Sequence, residues 1–124
     1  MPPIGAELGR GAEGIVYENL DQPGWVVKEF HMGGTSPFQA RNEFQNLEKA
    51  RAIRPDNVVQ AQAPADPQQG WLAKEQVLPT TTPPDMAQRA QVLQDFLPQI
   101  PDAGGNLMWG TTASNSTPRW LLIE

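Results

Sequence analysis

The stretch Gly9-Arg10-Gly11-Ala12-Glu13-Gly14 constrains this chain more than any other. Glycines at this spacing suit a tight turn. The backbone there is free to take positive φ, and amide N–H groups can come close to a ligand. The turn does not open a helix. Ile15-Val16-Tyr17 is apolar and β-prone, and Asn19 to Gly24 are poor helix formers. The turn therefore joins two strands, Ile4 to Leu8 and Ile15 to Glu18, unlike the strand–turn–helix of dinucleotide-binding folds. Past Pro23-Gly24, Trp25 to Glu29 reads as a third strand and carries Lys28. A lysine on that strand can reach phosphate oxygens as a point charge. A glycine-rich hairpin with no ligand is the plainer reading of the same residues.

Helical and strand periods alternate along the remainder. Phe30 to Ser36 is a loop around Gly33-Gly34, and its His31 is the only histidine. A lone histidine in a loop reads as a surface residue, and no second His or Cys accompanies it for zinc. Thr35-Ser36-Pro37 has the form of a helix start, a hydroxyl cap followed by proline. The helix should run from Pro37 to Ile53 with Phe38, Ala40, Phe44, Leu47, Ala50 and Ile53 on its apolar side. Asn57 to Ala61 and Trp71 to Val77 read as a fourth and fifth strand around a polar turn at Pro64 to Gly70. After a proline-rich connector, Pro84 to Leu97 is a second amphipathic helix. Asp85 stands at its start, and Met86, Ala90, Leu93 and Leu97 recur on one face beside Val92 and Phe96. Leu107 to Trp109 and Trp120 to Ile123 read as two strands joined by a polar loop, Gly110 to Arg119.

Composition narrows the classes. The 124 residues suffice for one domain with a modest core. A net charge of −5 argues against broad nucleic-acid binding, which needs a basic face. With no cysteine, disulfides, thiolate metal sites and a thiol nucleophile are excluded. No apolar run is long enough for a membrane span. The first residues, MPPIGAEL, lack the basic and apolar regions of a secretory signal, so a cytoplasmic location is expected. The many prolines and glycines sit between patterned segments, as in a loop-rich globular protein.

The pattern GxGxxGxV followed by an apolar strand with Lys resembles the nucleotide-binding start of the protein kinase family. The matched residues are Gly9, Gly11, Gly14, Val16 and Lys28. Asn42-Glu43-Phe44-Gln45-Asn46-Leu47 resembles the family's pattern around the helix glutamate that pairs with the strand lysine. The resemblance implies Glu43 as that partner, with Glu48 as the competitor. It also implies a hinge at Glu75 to Val77 whose backbone binds the adenine edge. Lys74, just before it, is an unusual residue to line such a site. Pro101-Asp102-Ala103-Gly104-Gly105-Asn106 resembles the catalytic loop, with Ile100-Pro101 where His-Arg is usual and an Asp-to-Asn interval one residue shorter. A plain glycine-rich turn into a hairpin is the alternative for that segment. On the kinase resemblance, Asp102 would orient the acceptor hydroxyl, and Asn106 with Glu124 would hold magnesium, Glu124 standing where the family has Asp.

The resemblance spans nearly the whole chain but only about the first half of a kinase domain. It implies an α+β fold. A kinase N-lobe-like antiparallel sheet of about five strands with one packed helix would be followed by a second helix, a short hairpin and a truncated C-lobe. By number, 1–78 would be N-lobe-like, 79–84 the hinge and linker, and 85–124 the C-lobe remnant. The implied function is that of an ATP- and Mg2+-binding, minimal Ser/Thr/Tyr-type phosphotransferase acting on a protein hydroxyl. Short kinases among bacterial effectors, toxins and phage-associated proteins are the relatives this suggests, with delivery into a host cytoplasm for an effector. The alternatives are an inactive kinase-like module that binds nucleotide or a partner protein, and a fragment completed by another chain.

Overall fold

β-branched and aromatic runs separated by turn residues dominate the first third of the chain, and in the computed structural model they form an antiparallel meander. The structure describes residues 1–31 and 36–124. Strands β1 (Ile4–Arg10), β2 (Gly14–Asn19) and β3 (Trp25–Phe30) are joined by β4 (Ala61–Gln62) and β5 (Trp71–Glu75) in the order β1-β2-β3-β5-β4. Helix α1 (Ser36–Ile53) comes after β3, and helix α2 (Met86–Phe96) precedes a separate hairpin of β6 (Leu107–Thr112) and β7 (Asn115–Leu122). The fold is α+β, with a five-stranded antiparallel sheet, two helices and a two-stranded hairpin. Thr35 of the expected helix start and the pair Gly33-Gly34 lie outside the described residues. Among the described residues no helix is long and apolar enough to cross a membrane.

The chain packs as two units. The first comprises Met1–Gln45 and Gln60–Gln76. Its core is Val26, Val27, Phe30, Leu72 and Ala73 of the two central strands, with Ala40 of α1. Partners directly opposite in an antiparallel ladder share a face. Gly9, Val16, Lys28 and Leu72 therefore form one row across four strands, and Val26, Lys74 and Ala61 form another. Gly24 takes a φ of 82° in the turn before β3, where a side chain would be strained.

The second unit comprises Asn46–Val59 and Val77–Glu124. Leu47, Ala50, Val58, Val59, Val92, Phe96, Ile100, Ala103, Leu121 and Leu122 are its buried apolar residues. Trp109 and Trp120 meet at 5.6 Å between centroids, and their indole N–H groups donate to the carbonyls of Thr82 and Asp85. Leu78 and Thr111 exchange backbone bonds, so the proline-rich connector is pinned to the hairpin.

Several elements differ from the sequence pattern for identifiable reasons. Asn57 to Ala61 is not one strand. Pro55–Asn57 is a 3₁₀ turn, because Pro55 suits a helical start and the Asn57 amide donates to the Trp120 carbonyl at 2.9 Å. Gly110 to Arg119 is not a long loop. The strands run through it, and Arg119 braces the bend with bonds to the Asn115 and Thr117 carbonyls and to Thr112 Oγ1. Pro118 is tolerated because a two-stranded hairpin leaves an edge that needs no N–H. Phe38 is not core. It is 62% exposed, with the Arg41 guanidinium 5.7 Å from its ring centre. On α2 the buried positions are Val92 and Phe96, whereas Met86, Ala90 and Leu97 face outward. The face turned to β7 is set by polar residues: Gln88 accepts from the Trp120 N–H, and Arg89 lies over the Trp120 ring.

Gly14 has a packing reason of its own. A Cβ there would stand 2.1 Å from the Glu29 carbonyl oxygen on β3. Gly14→Ala should lower stability by about 1–3 kcal/mol through overpacking. Gly9→Ala, with nothing near its Cβ position, should stay within about 0.5 kcal/mol of wild type. Urea denaturation of the two variants reads the contrast.

Candidate functional site

The buried stripe of α1 is Ala40, Glu43, Leu47 and Ala50, a helical repeat in which a carboxylate occupies an apolar place. Glu43 Oε1 accepts from Lys28 Nζ at 2.7 Å. Glu43 Oε2 accepts from Lys74 Nζ at 3.1 Å. The side chains of Lys28, Glu43 and Lys74 are only 7%, 7% and 9% exposed. The Lys28–Glu43 pairing is thus present in the structure. Glu48, the competitor, is an outward residue at 3.7 Å from Arg51. The sheet puts Lys28 and Lys74 on one face of neighbouring strands, and α1 lays Glu43 across them.

The glycine turn adjoins this cluster. Glu13 Oε2 lies 3.5 Å from Lys28 Nζ, although the Glu13 side chain is largely exposed. The turn is closed by Gly11 N–H donating to the Gly14 carbonyl at 2.9 Å. Its outer end is fastened to β3: the His31 N–H donates to the Glu13 carbonyl, and the His31 ring lies within bonding distance of the Gly11 carbonyl. None of Gly9, Gly11 and Gly14 has positive φ, so conformational freedom is not why they are glycines. Gly14 is explained by close approach of β3. Gly9 and Gly11 have open space where a side chain would stand. Val16 lies beside Lys28 in the same row, half-buried. Arg10 turns back to Glu7 at 2.7 Å, and that hydrogen bond with its attached negative charge raises the guanidinium pKa further.

The remaining residues of the kinase resemblance fall in both units. Glu75 ends β5, its N–H donating to the Gln60 carbonyl and its Oε1 accepting the Gln60 N–H, both at 2.9 Å. Val77 belongs to the second unit, its side chain against Gly110. Asp102 is exposed and precedes the 3₁₀ turn Ala103–Gly105, which its side chain does not cap. The Asn106 amide donates to the Asp102 carbonyl at 3.1 Å, leaving Oδ1 as an oxygen donor. The Ile123 N–H donates to the Asn106 carbonyl at 3.0 Å, which brings the backbone next to Glu124 alongside Asn106. Among the described residues no three His, Cys, Asp or Glu side chains form a metal-holding group.

Sequence reasoning missed three contributors: Lys74 as a second partner of Glu43, Glu13 as a neighbour of Lys28, and His31 as a fastener of the turn. Lys74 had a visible signal, a charged residue in the middle of an apolar strand. Glu13 and His31 had none, because their contacts depend on how the turn folds over β3. No protein-family model and no curated protein matches this chain.

Removing the shared carboxylate leaves two buried ammonium groups without it. Glu43→Ala should cost about 3–5 kcal/mol of stability. Glu48→Ala should change stability by less than about 0.5 kcal/mol. Equilibrium unfolding of both variants checks the difference.

Proposed function

We propose that this chain binds ATP with magnesium at the glycine turn and Lys28, and that it is a kinase-like protein of reduced size. The observation that carries the reading is the reach of Lys28 to the turn. Lys28 is held by Glu43, and Glu13 of the turn places a carboxylate oxygen 3.5 Å from its ammonium. A carboxylate there stands in for a phosphate oxygen: both are hard anionic acceptors that a buried ammonium attracts. The open space at Gly9 and Gly11 supports the same reading, since a ligand can approach their backbone without meeting a side chain. Val16 would give the nucleoside an apolar neighbour, and Glu75 and Val77 would supply backbone groups to the adenine edge.

The reaction we infer is transfer of the γ-phosphoryl group to a protein hydroxyl. Such transfer rests on positioning and charge stabilisation. Lys28 would neutralise phosphate charge, Glu43 would hold Lys28, and Asp102 would orient the acceptor hydroxyl. Magnesium would shield the triphosphate, and Asn106 Oδ1 and Glu124 are oxygen donors of the kind it takes. ATP is a cytoplasmic substrate, so the protein is proposed to act in a cytoplasm, its own or that of a host to which it is delivered. A second reading, a nucleotide-binding module without transfer, is favoured by the Asp102–Asn106 segment. There the Asn106 amide is tied to the Asp102 carbonyl, and Ile100-Pro101 replace the usual basic pair.

Calorimetry with ATP·Mg should give a binding heat for wild type. Lys28→Ala should bind at least about ten-fold more weakly, as befits loss of a charge-assisted bond. No heat from wild type would overturn the reading. Incubation with labelled ATP and generic protein acceptors separates the two classes: incorporation lost in Asp102→Ala supports transfer, and binding without incorporation supports the module.

A further inference from the structure

Lys74 is a buried charge that a lysine–glutamate pair does not require. One Glu43 oxygen suffices for Lys28, and that bond is already short at 2.7 Å. A strand in a sheet core is better served by Leu, Val or Met, because an ammonium group loses its hydration when buried. The neighbours of Lys74 on β5 obey that rule: Leu72 and Ala73 are fully buried. Across the ladder Lys74 sits opposite Val26 and Ala61, both apolar. Its ammonium nevertheless stands 3.1 Å from Glu43 Oε2.

A carboxylate held by one oxygen is free to turn about its last torsion, which is broad and two-fold. Held by both oxygens it is fixed in plane and direction. Lys28 and Lys74 descend from adjacent strands, in rows one step apart, and grip opposite oxygens of the same group. We propose that Lys74 is a positioning residue of the phosphate site. It anchors Oε2 of Glu43 so that Oε1 keeps Lys28 aimed toward the glycine turn. This rests on the ATP-binding reading above and adds a residue to it. Lys74 acts through Glu43 and does not itself touch phosphate.

The chain has no cysteine, so Lys74→Cys introduces a unique thiol. Alkylation with 2-bromoethylamine in denaturant, followed by refolding, restores a side chain of lysine length and charge. Calorimetry with ATP·Mg would compare wild type, Lys74→Met and the aminoethylated Lys74→Cys, with Lys74→Met repeated in a Glu43→Gln background. Lys74→Met should weaken binding about ten-fold, and aminoethylation should bring it back to within about two-fold. In the Glu43→Gln background, Lys74→Met should change binding less than about two-fold, because the path through the carboxylate is already cut. Should Lys74→Met not fold, Lys74→Gln keeps a donor without charge and should show the same non-additivity. Equal weakening in both backgrounds would overturn the proposal in favour of direct phosphate contact. Wild-type affinity in Lys74→Met, with Lys28→Ala deficient, would overturn it while leaving the ATP reading intact. Absence of binding by wild type would overturn both.

Discussion

A carboxylate gripped by two ammonium groups beneath a sheet is the constraint around which the first unit is arranged. Each of the three charges loses most of its water, at a cost of several kcal/mol per ion, and the attraction repays this only where both carboxylate oxygens are satisfied. That condition fixes much of the surrounding structure. Lys28 must lie on the central strand and Lys74 on its neighbour. Both must face the same way, and α1 must cross with Glu43 in its buried stripe. The apolar residues around them, Val26, Phe30, Leu72 and Ala40, exclude water and strengthen the attraction. The Phe30 ring lies 4.9 Å below the Lys28 ammonium and adds a cation–π contact.

The glycine turn divides its labour. Gly14 is glycine because β3 passes too close for any side chain, which is a property of the sheet. Gly9 and Gly11 have no such reason: a side chain at either would stand in open space, although Gly9 pairs with Val16 and the Gly11 N–H donates to the Gly14 carbonyl. Glu13 reaches inward from the same turn to Lys28, while His31 fastens it from outside. The turn is therefore held to Lys28 and His31, with open space only where side chains of Gly9 and Gly11 would stand.

The second unit obeys a different logic, with polar side chains stitching a hairpin to its surroundings. Arg119 serves the bend of the hairpin and the Asp56 carbonyl, Asn57 serves Trp120, and Arg54 pairs with Asp95 at 2.6 Å. Asp85 caps α2 through the Gln88 N–H at 3.0 Å, as its place before the helix leads one to expect. Asp102 and Asn106 are here part of a turn whose hydrogen bonds are mostly internal.

Strand and helix identities were legible where local chemistry is strong. The meander of Ile4 to Phe30, the start of α1 at Ser36-Pro37 and the Asp85 cap all come from residue type and spacing. The choice of Glu43 over Glu48 came from the kinase resemblance, and the structure shows Glu43 within the buried stripe. Long-range contacts were not legible. Asn57 turns out of a strand because of a carbonyl in β7, more than sixty residues later. Gln88 and Arg89 set the working face of α2 through Trp120, a preference that apolar periodicity does not record. By itself the sequence determined a glycine turn, a strand lysine and a helix carboxylate, because each is a matter of neighbouring residues. Only the tertiary structure decided that a second lysine shares that carboxylate. Strand register places two distant residues side by side, and register is a property of the assembled sheet.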